Sequence, residues 1–190
     1  MEYALSEELI IRKANFDDMP AVTKIYAESV LNGISTYELV PPDQTEITQR
    51  FEAITSLGYP FIVGESGNEL TGYAYASSFR TRPAYRFIVE DSIYVAPAAR
   101  GKGLGKLLLN ELVSQCTQQG FRQMFAVIGG PEPASVFLHR RCGFEDCGTM
   151  RGSGYKFGRW LDTKIMQRAL GEGDTTLPEE AGSPADAGRD

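Results

Sequence analysis

The chain is poor in the residues that build metal centres and disulfide frameworks: its 190 positions hold a single histidine, His139, and three cysteines. Cys116, Cys142 and Cys147 are odd in number and lack Cys-x-x-Cys spacing. No metal is therefore expected, and the thiols read as free groups in a reducing compartment. Long apolar runs are missing too. None approaches the roughly 20 residues that cross a bilayer, and the first eight residues, MEYALSEE, are acidic where a secretory leader is basic. A cytoplasmic protein with no membrane partner is the expectation. The formal charge is −6, but residues 171–190 hold six acids against Arg189, which leaves a net −1 for residues 1–170. A chain without a basic excess is not built to neutralise a phosphate backbone, which argues against nucleic acid as the main partner.

Those last 20 residues, GEGDTTLPEEAGSPADAGRD, contain one leucine and no aromatic side chain. They bury too little to order themselves, so a single domain over residues 1–170 and a disordered acidic tail over 171–190 are expected. Within the domain, apolar spacing predicts helices over Met19–Leu31, Thr45–Ser56, Leu104 to about Gly120, and Pro133–Cys142. Strands are expected at Leu9–Arg12, Phe61–Glu65, Leu70–Ser77, Ile88–Val95 and Met124–Ile128. Phe144–Met150 and Lys156–Ala169 should form a terminal hairpin, with Arg151-Gly152-Ser153-Gly154 at its turn. That order is a mixed α/β layout without internal repeats.

One stretch, Glu90 to Leu109, carries the most chemistry. A strand ends at Pro97, a helix starts at Leu104, and Arg100-Gly101-Lys102-Gly103-Leu104-Gly105 lies between them. Glycines let a backbone approach a bulky anion, a helix start points free N–H groups toward it, and Arg100, Lys102 and Lys106 add charge. A pyrophosphate cradle is the reading. It is not the ATP-binding loop, because Gly101-Lys102 is followed by Gly103 instead of Ser or Thr. It is not the dinucleotide fingerprint either, because Gly105 follows Gly103 by two positions and not three.

The loop resembles the acyl-CoA loop of the GNAT superfamily of N-acetyltransferases, Arg/Gln-x-x-Gly-x-Gly/Ala. The similarity extends over about residues 9–169, and Gly72-Tyr73-Ala74-Tyr75, Arg80, Tyr85-Arg86, Val89-Glu90, Tyr94-Val95, Val127-Ile128-Gly129, Ser135, His139 and Lys156–Asp162 resemble its phosphinothricin and methionine-sulfoximine branch. The resemblance implies the GNAT fold: an α/β (α+β) architecture with a mostly antiparallel central sheet of about six or seven strands and about four helices. It implies acetyl-CoA as cosubstrate, a small amino-acid-like amine as acceptor, and a homodimer.

Acetyl transfer to an amine needs a neutral amine, so a base must take a proton. Glu90 stands where the family carries that base, and its neighbour Asp91 should point to the opposite face of the strand. The resemblance further implies that Ile93, Tyr94 and Val95 hold the pantetheine arm, that the amides of Gly101–Gly105 hold the diphosphate, and that His139 either donates a proton to the leaving thiolate or relays the amine proton. Glu132 departs from the branch, which has asparagine there, and a carboxylate accepts but cannot donate. Arg80 and Arg82 could clamp an anionic acceptor, with Tyr37 and Tyr85 as pocket walls. Several readings stay open: Cys142 as a nucleophile beside His139, a peptide or protein acceptor, and a non-catalytic acyl-CoA-binding module.

Overall fold

The computed structural model describes residues 9–67 and 69–178. Its elements in chain order are β1 (Leu9–Lys13), α1 (Met19–Asn32), α2 (Gln44–Ser56), β2 (Phe61–Ser66), β3 (Glu69–Ser78), β4 (Ile88–Val95), α3 (Leu104–Gln118), β5 (Gln123–Gly129), α4 (Pro133–Arg141), β6 (Glu145–Lys156) and β7 (Arg159–Ala169). The strands form one sheet in the order β1-β2-β3-β4-β5-β7-β6. Every neighbouring pair is antiparallel except β4 and β5.

Local sequence explains where the elements start. Asn15 and Asp18 cap each other's backbone ahead of α1, and Arg12 binds both Asp18 and Glu65, tying β1 and β2 to that corner. Asp43 caps α2 by accepting from Glu46 N at 2.8 Å. Helix α3 presents Leu104, Leu108, Leu109 and Leu112 to the sheet, all fully buried. Each contributes roughly 1.5–3 kcal/mol of burial. They form the core on one face with Ile62, Ala74, Val89, Met124 and Met166. The other face is covered by α1 and α2 and filled by Val22, Tyr26, Phe51, Phe61 and Tyr73.

The sheet is forked at its centre. Parallel pairing of β4 with β5 runs only from Ile88/Gln123 to Asp91/Ala126. Beyond it, β4 continues beside β3 as far as Val95, while β5 continues beside β7 as far as Gly129. The two halves separate there. Ala96 N donates to Thr71 O, which sets the antiparallel alternation: Tyr94, Ser92 and Glu90 exchange backbone bonds with β3. The backbone groups of Ile93 and Val95 consequently face the fork.

The terminal hairpin departs from the sequence expectation at its turn. The chain reverses at Phe157-Gly158, both with positive φ (52° and 72°), and not at residues 151–154. Two left-handed residues make the tight turn that suits strand twist. The glycines at 152 and 154 instead mark an irregularity inside β6, between Met150 and Gly154. The expected turn between β2 and β3 includes Asn68, which lies outside the described residues. Of the acidic tail, residues 171–178 are described, and Arg122 donates to Thr176 and Leu177. Residues 1–8 and 179–190 lie outside the described residues.

Candidate active site

The fork opens into a cavity of about 340 Å³ whose walls include Glu90, Ser92, Tyr94, Ile128, His139 and Tyr37. Glu90 reaches it because the pleat puts residues 90, 92 and 94 on the α1–α2 face. Burial is the first cause that drives the Glu90 carboxyl up to about 7, the neighbouring Asp91 charge adds to it, and Arg80 opposes both. A carboxyl poised there can exchange protons at neutral pH.

Asp91 lies on the opposite face, as the strand period requires, and it is buried. Its Oδ2 is 3.0 Å from His139 Nε2. The other ring nitrogen, Nδ1, is 2.7 Å from the carbonyl oxygen of Ser135. A carbonyl can only accept, so Nδ1 carries a proton. Burial alone would lower the imidazolium's pKa, yet Asp91 and the Ser135 carbonyl together outweigh it, and the His139 pKa lies above its ordinary 6.5.

At the cradle, Gly101 and Gly103 have φ of 75° and 95°, conformations that favour glycine. A side chain at either would meet nothing within 4 Å, so the surface they form is open. Gly103 begins α3, and no side chain caps that helix end, which leaves amides for an anion. Arg100 Nε donates to Val95 O at 3.0 Å, joining the loop to the strand end. Lys102 and Lys106 are exposed beside it, whereas Leu104 points into the core. Gly105 lies against Leu138 of α4, with 3.3 Å for a Cβ.

Glu132 is engaged locally: its Oε2 accepts from Ser135 N at 2.8 Å and caps α4. Tyr37 walls the cavity and donates to Asp162 O at 2.6 Å. Tyr85 does not line it; its ring meets Phe79 edge-on at 5.9 Å, on the exposed segment after β3. Arg80 and Arg82 are exposed on the same segment, and Arg80 lies over the Phe79 ring at 5.2 Å. Among the described residues no group of three His, Cys, Asp or Glu could hold a metal ion, and no helix is long and apolar enough to cross a membrane. Cys142 is buried with a raised pKa, caused first by burial, which makes it a poor nucleophile.

Two contacts of the site escaped the sequence. Asp91 was placed on the correct face, but its partner lies 48 residues away on another element. Lys156 is buried, and its Nζ donates to Thr36 O at 2.9 Å, fastening the α1–α2 loop over the cavity. The sequence singled out the Lys156–Asp162 stretch through the branch resemblance, but not this contact.

Comparison with known proteins agrees with this geometry. The Acetyltransferase (GNAT) family matches residues 24–144. The phosphinothricin N-acetyltransferase of Alcaligenes faecalis is 47% identical over 89% of this chain and 86% of that protein. An L-methionine sulfoximine/L-methionine sulfone acetyltransferase of Pseudomonas paraeruginosa is 40% identical over 84% of this chain and 94% of that protein. A crystal structure of a GNAT superfamily phosphinothricin acetyltransferase from Sinorhizobium meliloti, in complex with acetyl-CoA, superposes with a TM-score of 0.91 at 55% identity and covers 94% of this chain and 97% of that one. The forked sheet, the glycine cradle and these similarities agree, and the chain belongs to the GNAT family of acetyltransferases.

Proposed function

We propose that the protein is an acetyl-CoA-dependent N-acetyltransferase for the amino group of a small amino-acid-like acceptor of the phosphinothricin or methionine sulfoximine type, with Glu90 as general base. The observation that carries this reading is the fork itself. It sets the fork-facing backbone of Ile93 and Val95, with Val95 O accepting from Arg100 Nε, and the open cradle at Gly101–Gly105 beside one carboxyl with a pKa of about 7.

The cosubstrate supplies an activated acetyl group as a thioester. The protein supplies position and proton traffic. Amides at the start of α3 hold a diphosphate, with Arg100, Lys102 and Lys106 adding positive charge. The backbone of Ile93 and Val95 receives an extended arm as a neighbouring strand would be received. Glu90 takes the proton of the acceptor ammonium, directly or through water, from the α1–α2 side. His139, protonated on the other side of the fork, is the proton donor for the departing thiolate. Arg80, whose charge is felt at Glu90, attracts an acceptor carboxylate or phosphinate, with the exposed Arg82 on the same segment adding positive charge, while Tyr37 limits the acceptor's size. The described geometry supports Glu132 as an α4 cap, so its contribution to the cosubstrate is through the position of that helix.

The same reading includes a homodimer and a cytoplasmic location. Tyr155, Phe157 and Trp160 stand exposed at the tip of the β6–β7 hairpin, and the three cysteines are free. Light scattering should give twice the chain mass; a monomer at micromolar concentration would contradict the dimer. The activity is tested by thiol release from acetyl-CoA with phosphinothricin, methionine sulfoximine and a panel of amino acids. Acceptor-dependent release is expected, and silence across the panel rules the reading out.

A further inference from the structure

We infer that Asp91 is a positioning residue for the acetyl-transfer site, which holds His139 as a doubly protonated imidazolium at neutral pH through the ion pair it makes across the α3–α4 face of the sheet. The geometry carries this. Both ring nitrogens face acceptors: the Ser135 carbonyl at Nδ1, 2.7 Å away, and the Asp91 carboxylate at Nε2, 3.0 Å away. A neutral imidazole has only one N–H to give. With Nδ1–H committed to a carbonyl, a neutral ring would turn a lone pair toward a carboxylate. The side chains of both residues are only 2% exposed, so water cannot relieve that repulsion. The second N–H is therefore part of how the pair is buried.

Orientation follows from the same contacts. The two bonds fix the ring in its plane, and Phe144 packs edge-on against it at 5.0 Å. Phe144 cannot ionise. The titratable groups around the pair are Glu90 on β4, Cys116 on α3 and Cys142 at the end of α4, with Lys106 and Arg168 facing Cys142. Burial pushes the Cys116 thiol up to about 12 and raises that of Cys142, so both are neutral near pH 7. Glu90 is the remaining anion, and its carboxyl is itself only partly ionised there. Asp91 is thus the group that fixes the imidazole's charge. Its second oxygen, Oδ1, is buried with no hydrogen-bond partner among the described residues.

In the reaction, His139 gives up its contact with Asp91 Oδ2 to reach the thiolate: the Nε2–H bond breaks as the S–H bond of the released thiol forms, and the ring is left neutral with its proton on Nδ1. Asp91 then faces a lone pair, which drives re-protonation from solvent before the next turnover. This functional half rests on the reading of His139 as proton donor given above; the charge state of the ring does not.

The sequence makes the test clean, because His139 is the sole histidine. In a ¹⁵N-labelled protein its two ring nitrogens give one unambiguous titration. In the wild type both should keep imidazolium shifts at pH 7, with conversion above the ordinary value of about 6.5. In Asp91→Asn the ring should become the neutral Nδ1–H tautomer at pH 7, its midpoint displaced downward by about one pH unit or more. The basic limb of the thiol-release pH profile should move down with it. A wild-type ring already neutral at pH 7 overturns the proposal without any variant having to fold, and so does an Asp91→Asn ring that stays charged. A basic limb that stays in place while the ring changes charge would instead overturn the donor role of His139.

Discussion

At the residue scale, Glu90 makes a specific demand on pH. Its folded pKa of about 7 lies above the ordinary 4.5, so the folded state prefers the neutral carboxyl. Its contribution to stability is fully present below pH 4.5 and is lost as pH rises through about 7. Glu90→Gln removes that dependence. Urea denaturation should therefore show the variant gaining stability relative to wild type between pH 4 and pH 8, and a constant difference would contradict the buried carboxyl. The sequence pointed to Glu90 as a candidate, because it stands where the family carries its base and a carboxylate is disfavoured in a strand. It was not enough to pair Asp91 with His139, since that contact exists only once α4 is laid over β4. Nor could it tell that Glu132 would turn back to cap its own helix, a choice decided by the fit of its side chain to Ser135 N.

At the element scale, the helices and strands were largely legible, because each apolar period is long and each end carries a Pro, Gly or capping residue. The β6–β7 hairpin was not. Four residues rich in glycine look like a turn, whereas Phe157-Gly158 reverses the chain and Gly154 has a packing role. A Cβ on Gly154 would lie 2.5 Å from the Tyr37 ring. Gly154→Ala should push Tyr37 into the cavity at a cost of about 1–3 kcal/mol. The acceptor KM should rise roughly tenfold with acetyl-CoA affinity unchanged, and an unaltered acceptor KM would show that Tyr37 is not a wall. Gly158, with φ 72° and nothing near its missing Cβ, tests the turn alone. Gly158→Ala should lose about 1 kcal/mol in thermal unfolding and leave activity intact. Gly103→Ala presents the reverse case at the start of α3: strain at φ 95° in an open cradle should weaken acetyl-CoA binding, measured by calorimetry, more than it lowers the melting temperature.

At the scale of the whole molecule, the site is a consequence of one topological event, the parting of β4 from β5 after Asp91/Ala126. It leaves a strand edge unpaired, opens a passage between the two faces of the sheet, and places Glu90 on one face with the Asp91–His139 pair on the other. No local pattern encodes the fork, because each strand keeps its own regular period on both sides of it. The motif resemblance supplied what periodicity could not. The most direct test is the pH dependence of thiol release under saturating acetyl-CoA, in wild type and in Glu90→Gln. The wild-type rate should rise with pH through an apparent pKa of about 7. Glu90→Gln should be slower by roughly a hundredfold or more and lack that limb. A variant with the wild-type rate and the same limb would contradict the assignment of the base, and with it the account of the fork as the place where acceptor and thioester meet.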